Sequence, residues 1–194
     1  LQAAKEDDAK AYSDYVSTGF LNVIHLNESK IRIPMGASLP GFLDGRGKIN
    51  GSIFHLEGEY HNRKEQRLEA GTVNHLTAQW LNAPYLWGGR TILGVDCSGF
   101  VQVNYKMMGV DLPRDAWQQA QEGETVRKLK DAVCGDLAFF DDKEEIVHVG
   151  ILLGDDRIIH ASGKVRIDSI DKKGIINSDT GKRTHSLRVI KRCG

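Results

Sequence analysis

The sequence predicts an α+β fold in which a helix that begins at a cysteine packs on an antiparallel sheet, behind a small all-β domain. Three observations predict it. Short β-like runs with Gly, Pro and Asn/Asp turn signals fill residues 19–62, and a helical pattern opens at Cys97. The later strand-rich runs then follow one another across tight turns, without the intervening helices that a parallel sheet needs.

Within residues 1–18, AKEDDAKAYSDYV places apolar or aromatic side chains at 9, 12, 15 and 16, a roughly helical spacing that predicts a leading helix or a linker remnant. Residues 19–66 form the small β-rich domain: FLNVIHL, SKIRIPM and GSIFHLEGEYH are separated by Leu39-Pro40-Gly41 and Asp44-Gly45-Arg46-Gly47. The charged stretch Arg63–Glu69 joins it to a second domain, 67–194, that opens with a helical pattern at Val73, Leu76, Trp80 and Leu81. A Gly-punctuated loop, PYLWGGRTILGVDCSGF, leads into the helix SGFVQVNYKMMG, which ends at Gly109 where a left-handed cap fits. GDLAFF, IVHVGILLG and RIIHAS follow as strands, with Gly154-Asp155-Asp156 marking a hairpin turn.

Hydrophobic residues make up 40% and charged residues 27%, the balance of an ordinary folded domain. Lys plus Arg equals Asp plus Glu at 26 each, so no net field draws nucleic acid, and a nucleic-acid role is not expected. The longest apolar runs, such as Ile146–Leu153, are too short to span a bilayer. The chain starts at Leu1 with no charged-then-apolar leader, so it reads as processed or trimmed, and the removed segment is where an export signal would lie. Three cysteines are too few for a disulfide framework.

Cys97 is the candidate nucleophile. A thiol attacks as its thiolate, and a helix N-terminus directs free N–H groups and the positive end of the dipole at the sulfur, which is expected to lower its pKa. The competing reading, a small buried hydrophobe, fits poorly beside Asp96, Ser98, Gly99 and the Trp87-Gly88-Gly89 loop, which suit a cleft wall. Cys134 and Cys193 lack a base partner in sequence and are read as structural or incidental.

A nucleophilic cysteine needs a base, and the base needs a group that fixes its ring. His148 and His160 flank the Gly154-Asp155-Asp156 turn with numbers of equal parity. A three-residue loop pairing Leu153 with Arg157 sets His160 opposite Gly150 and both imidazoles on one face; a two-residue loop sets them on opposite faces. A catalytic pair therefore requires an odd loop or a compensating bulge. His25, His55, His61, His75 and His185 have no comparable companions and are read as ordinary core or surface histidines. No His-x-x-x-His, Glu-x-x-His or Cys-x-x-Cys spacing is present, so neither a metal nor any other cofactor is expected.

PYLWGG, DCSGFVQ, LPRDAWQQ, GDLAFF, HVGILLG and IIHASG, in this order and spacing, resemble the NlpC-type family of bacterial cell-wall cysteine peptidases across about Leu81–Gly163. The resemblance implies a permuted papain-like catalytic domain with Cys97 as nucleophile, His148 as base and His160 as the orienting residue. The β-rich piece ahead of it looks like a bacterial SH3-like domain. The most similar subgroup cleaves between γ-D-glutamate and a diamino acid in peptides with a free N-terminal L-alanine, which implies substrate contacts for Tyr85, Asp96, Ser98 and Arg114. Asp96 would pair with the substrate ammonium, Tyr85 would bind substrate or donate to the oxyanion, and Arg114 would hold a carboxylate or brace the loop; Asp96 and Ser98 also suit helix capping. Trp87 reads as a packing anchor of its loop. Val147 stands where related sequences often carry a small polar residue. The resemblance further implies muropeptide partners, a monomer, and a place in the cell envelope or outside the cell. The alternatives are a wall-binding module without turnover, and an amidase or acyltransferase on the same scaffold.

Overall fold

The structure is a computed structural model and describes residues 13–194. The chain divides after Gln66 into two compact units.

The first unit contains β1 (Tyr15–Ser17), β2 (Leu21–Leu26), β3 (Ser29–Pro34), β4 (Arg46–Ile49), β5 (Ser52–Glu57) and β6 (Tyr60–Asn62). β3-β2-β5-β4 form one antiparallel sheet, and β1 pairs with β6. Two-residue loops with positive φ, at Asn27 and at Asn50-Gly51, match the twist of the strands they join. Ile24, Leu39, Phe42 and Phe54 pack together as its core. The leading helix expected over 1–18 lies mostly outside the described residues, and its last part is a strand instead. Val16 is buried and Tyr15 packs on Phe42 and Tyr60, so pairing with β6 overrides the local helical spacing.

The second unit runs through α1 (Ala70–Ala78), β7 (Arg90–Thr91), β8 (Gly94–Val95), α2 (Cys97–Met107) and α3 (Ala116–Gln119). It continues with β9 (Glu124–Val126), β10 (Leu137–Asp142), β11 (Glu145–Gly154), β12 (Arg157–Ser162), β13 (Lys164–Asp171), β14 (Gly174–Ile176) and β15 (Arg183–Arg192). The large sheet has the order β10-β11-β12-β13-β14-β15-β9, all antiparallel, and β10 also pairs with β15. That extra pairing closes β10 to β15 into a barrel and leaves no free edge along most of its length.

Alternation along these strands produces two faces. Ala138, Phe140, Leu152, Ile158, Ile170, Ile175 and Ile190 cluster on the inner one. On the other side α2 packs against β11 and β12 and buries Phe100, Val101, Val103, Tyr105 and Met107. Burying each such side chain stabilises by about 1.5–3 kcal/mol, so a helix of moderate amphipathicity is fixed by its packing. Gly109, in the left-handed conformation at φ 86°, ends the chain's helical course where the sequence places the cap.

Candidate active site

The site is assembled at the start of α2. The Asp96 side chain accepts from the Gly99 N–H at 2.7 Å, which caps the helix and makes Cys97 its first residue. Only a glycine fits at 99, because a Cβ there would lie 2.4 Å from the Gly89 carbonyl oxygen; the loop before the helix is thereby held against it. Cys97 is buried, and the backbone N–H groups of Val149, Ser98 and Cys97 itself lie near enough to its sulfur to favour the thiolate. The Val149 N–H among these groups belongs to the strand residue that directly follows His148.

The β11–β12 hairpin resolves the parity question. Its loop is the two-residue Asp155-Asp156 turn, with φ of 50° and 54°, and Gly154 pairs with Arg157 where the sequence reading paired Leu153. A bulge between Leu152 and Gly154 restores the face, so Gly150 pairs with His160 and the two histidines point the same way. His148 Nε2 lies 2.8 Å from His160 Nδ1, and His160 Nε2 lies 3.0 Å from Asp168 Oδ2. All three are buried on adjacent strands β11, β12 and β13. With Nε2 engaged, Nδ1 is the nitrogen through which His148 can exchange a proton.

Two members of this cluster are not singled out in the sequence. Asp168 ends the row, and His185, read as an ordinary histidine, stacks on His148 with ring centroids 4.2 Å apart. The signal for Asp168 is the turn at Gly163: it pairs His160 with Arg166, so 168 falls on the same face. His185 arrives on β15 through barrel closure, and nothing in the sequence points to it.

Burial raises the Cys97 thiol, and the nearby Asp96 charge adds to this; the neighbouring backbone N–H groups pull the other way without prevailing. The expected lowering by the helix terminus is therefore outweighed by desolvation. Burial likewise holds His148 well below its usual range, with His160 and His185 adding to the effect. Both shifts favour a neutral thiol and a neutral imidazole in the resting state.

Asp96 sits in a dense polar node. Burial opposes its charge, but hydrogen bonds from Arg114, Gly99 and Gly88 outweigh it and hold the carboxyl below the usual range. Arg114 meets it in a fork, Nη1 to Oδ1 at 3.1 Å and Nη2 to Oδ2 at 2.5 Å, and Nη1 also reaches Ser98 Oγ at 2.9 Å. Gly88 N–H donates to Oδ2 at 2.8 Å. The fork ties the Arg114 loop to the start of α2. Tyr85 lies close enough for the charges of Cys97 and Asp96 to add to burial in keeping its phenol protonated.

Cys97, Asp96, Ser98, Arg114 and Tyr85 line a cleft of about 680 Å³, rimmed by Trp87, Trp117 and Val147. Trp87 is 84% exposed, so it is a rim residue and not the packing anchor the sequence suggested. The volume suits a short peptide. Among the described residues, no group of His, Cys, Asp and Glu is arranged to hold a metal ion.

The family model for the NlpC/P60 family matches residues 82–184. A gamma-D-glutamyl-L-lysine dipeptidyl-peptidase of Bacillus subtilis (strain 168) is 40% identical over 100 residues, 50% of this chain, which spans only 33% of that enzyme. A probable endopeptidase NlpC homolog of Haemophilus influenzae is 37% identical over 138 residues, covering 65% of this chain and 73% of the relative. Among solved structures, an NlpC/P60 family protein from Bacillus cereus ATCC 10987 superposes over 98% of this chain and 67% of its own, with a TM-score of 0.77 and 21% identity; this likeness is one of fold. The matched segment covers just over half of the chain and contains Cys97, His148, His160 and Asp168 alike, and with the likeness to the Haemophilus relative it establishes that the chain belongs to the NlpC/P60 family.

Proposed function

We propose that the chain is a cysteine endopeptidase that hydrolyses the amide bond between γ-D-glutamate and a diamino acid in peptidoglycan-derived peptides with a free N-terminal L-alanine. The observation that carries the reading is the buried Cys97 thiol at the start of α2, near the β11 residue that follows His148, with His160 hydrogen-bonded to that ring. The name of the Bacillus relative supports the choice of bond.

The geometry supports an acyl-transfer sequence. Cys97 Sγ attacks the γ-carbonyl carbon as its proton passes to His148 Nδ1, and the oxyanion is met by the Cys97 N–H and the Tyr85 hydroxyl. His148 gives that proton to the leaving amine, the C–N bond breaks, and a thioester remains. Water, deprotonated by His148, attacks the thioester and restores the thiol. Because burial favours the neutral pair, proton transfer accompanies attack and no preformed thiolate is required.

Asp96 and Ser98 are assigned to the substrate ammonium. A carboxylate offers about four lone-pair sites. The N–H groups of Gly88 and Gly99 and the Arg114 fork occupy them, and the Ser98 hydroxyl is the longest contact, at 3.3 Å on Oδ1. An ammonium would take the hydroxyl's place. The N-terminal unit is assigned as an SH3-like module, and the site of action as the cell envelope. Feeding L-Ala-γ-D-Glu-L-Lys, its diaminopimelate counterpart and their N-acetylated forms tests the assignment: only the free amines should be cut efficiently, and equal cleavage of the acetylated peptides rules out Asp96 as an ammonium site.

A further inference from the structure

His160 has both ring nitrogens engaged inside the protein, Nδ1 with His148 and Nε2 with Asp168. A neutral imidazole carries one N–H and one lone pair, so the position of its proton decides what the next ring can do. We propose that Asp168 is a positioning residue that fixes the tautomers of both histidines, so that His148 presents a lone pair on Nδ1 toward Cys97. The proposal rests on the reading of His148 as the base.

The carboxylate is itself oriented. Its Oδ1 accepts from Arg166 Nε at 3.1 Å and from the Ser178 N–H at 2.9 Å, and lies 3.0 Å from Arg166 Nη2. Arg166 Nη2 also meets Asp179 Oδ2, at 2.9 Å. Three donors therefore converge on one oxygen and leave Oδ2 for His160. An ionised carboxylate only accepts, so His160 Nε2 must donate, its Nδ1 must accept, and His148 Nε2 must donate in turn. The His148 lone pair is then on Nδ1. When His148 takes the thiol proton, its Nε2–H still donates to His160, and the new positive charge lies at one end of a row whose other end is negative.

Asp168→Asn tests this because the amide cannot turn either way. All groups around Oδ1 are donors, so the amide oxygen must sit there, and the amide NH₂ must face His160 Nε2. That nitrogen then has to accept, His160 Nδ1 becomes the donor, His148 Nε2 becomes the acceptor, and His148 Nδ1 carries a proton. The base is lost with little change of shape.

Loss of general-base catalysis should lower kcat by about 10²-fold or more, with KM changed far less. The same substitution in a His160→Ala background, where the row is cut, should change kcat by less than about threefold, the non-additivity expected of coupled groups. Equal loss in both backgrounds would mean that Asp168 acts through folding, and would overturn the proposal. Nitrogen-15 NMR of labelled histidines gives a readout without substrate. Both His148 and His160 should carry the proton on Nε2 in the wild-type chain and on Nδ1 in Asp168→Asn. If the variant fails to fold, the wild-type spectrum decides alone, and a His160 protonated on Nδ1 overturns the proposal. Full activity of Cys97→Ala would instead remove the peptidase reading while leaving the tautomers as found, so the two failures are distinguishable.

Discussion

Arg114→Ala removes the fork that neutralises Asp96 and leaves a carboxylate that is 6% exposed without its counterion. Stripping one partner from a buried ion pair costs about 3–5 kcal/mol. Two features reduce that figure here. The Arg114 side chain is itself 30% exposed, so water can enter behind it, and Asp96 keeps the N–H groups of Gly88 and Gly99. A loss of about 2–3 kcal/mol is therefore expected, or roughly 6–12 °C in the melting of the second unit. Urea unfolding followed by Trp fluorescence measures it. The sign with pH follows from the lowered Asp96 pKa: the folded carboxylate's contribution is present above about pH 4, the unfolded value, and is lost as pH falls through the folded one. The gap between wild type and variant should thus be widest at neutral pH and shrink below about pH 4. Asp96→Asn added to Arg114→Ala should recover part of the loss by removing the uncompensated charge. A gap under about 0.5 kcal/mol at neutral pH, or one that does not narrow in acid, refutes the reasoning.

Burial holds His185 at about 4, so between that value and about 6.5 the folded chain binds fewer protons there than the unfolded chain. Stability should fall as pH drops through this window, with His185 contributing about 1–3 kcal/mol after allowance for its partial exposure and His148 adding its own share, seen as a falling urea midpoint whose slope is reduced in His185→Gln; a flat wild-type midpoint contradicts it. Gly150→Ala would set a Cβ 2.7 Å from Ile158 Cδ1 and 2.9 Å from His160 Cβ, displacing the ring that backs His148. It should lower stability by about 1–3 kcal/mol in thermal melts and kcat by about tenfold. Tyr85→Phe should lower kcat by about 10- to 100-fold at unchanged KM if the hydroxyl meets the oxyanion, whereas a raised KM with unchanged kcat would assign it to substrate binding.

The sequence makes the course of the second unit legible because its punctuation is physical. Gly109 caps a helix, Asp96 starts it, and Gly154-Asp155-Asp156 turns a hairpin. Parity alone does not decide whether His148 and His160 share a face; it says only that an odd loop or a bulge is required, and the bulge at Leu153 is the device the structure uses. Asp168 is within reach of the same argument extended by one strand. His185 is not, since its place depends on β15 closing the barrel against β10, a contact between distant segments with no local signature. Local dipole reasoning also misjudges the Cys97 thiol, because depth of burial is a property of packing and outweighs the helix terminus. Residues 15–17 fail for a related reason: a short aromatic-apolar run obeys whichever partner it finds, and here that is β6.

The proposed chemistry depends on Cys97 as the nucleophile of an amide hydrolase. Its most direct test is kcat of Cys97→Ala on L-Ala-γ-D-Glu-L-Lys, with folding verified by an unchanged melting transition. A loss of at least about 10⁴-fold, to the level of the uncatalysed background, is expected. A folded Cys97→Ala chain that still releases lysine at the wild-type rate would contradict it.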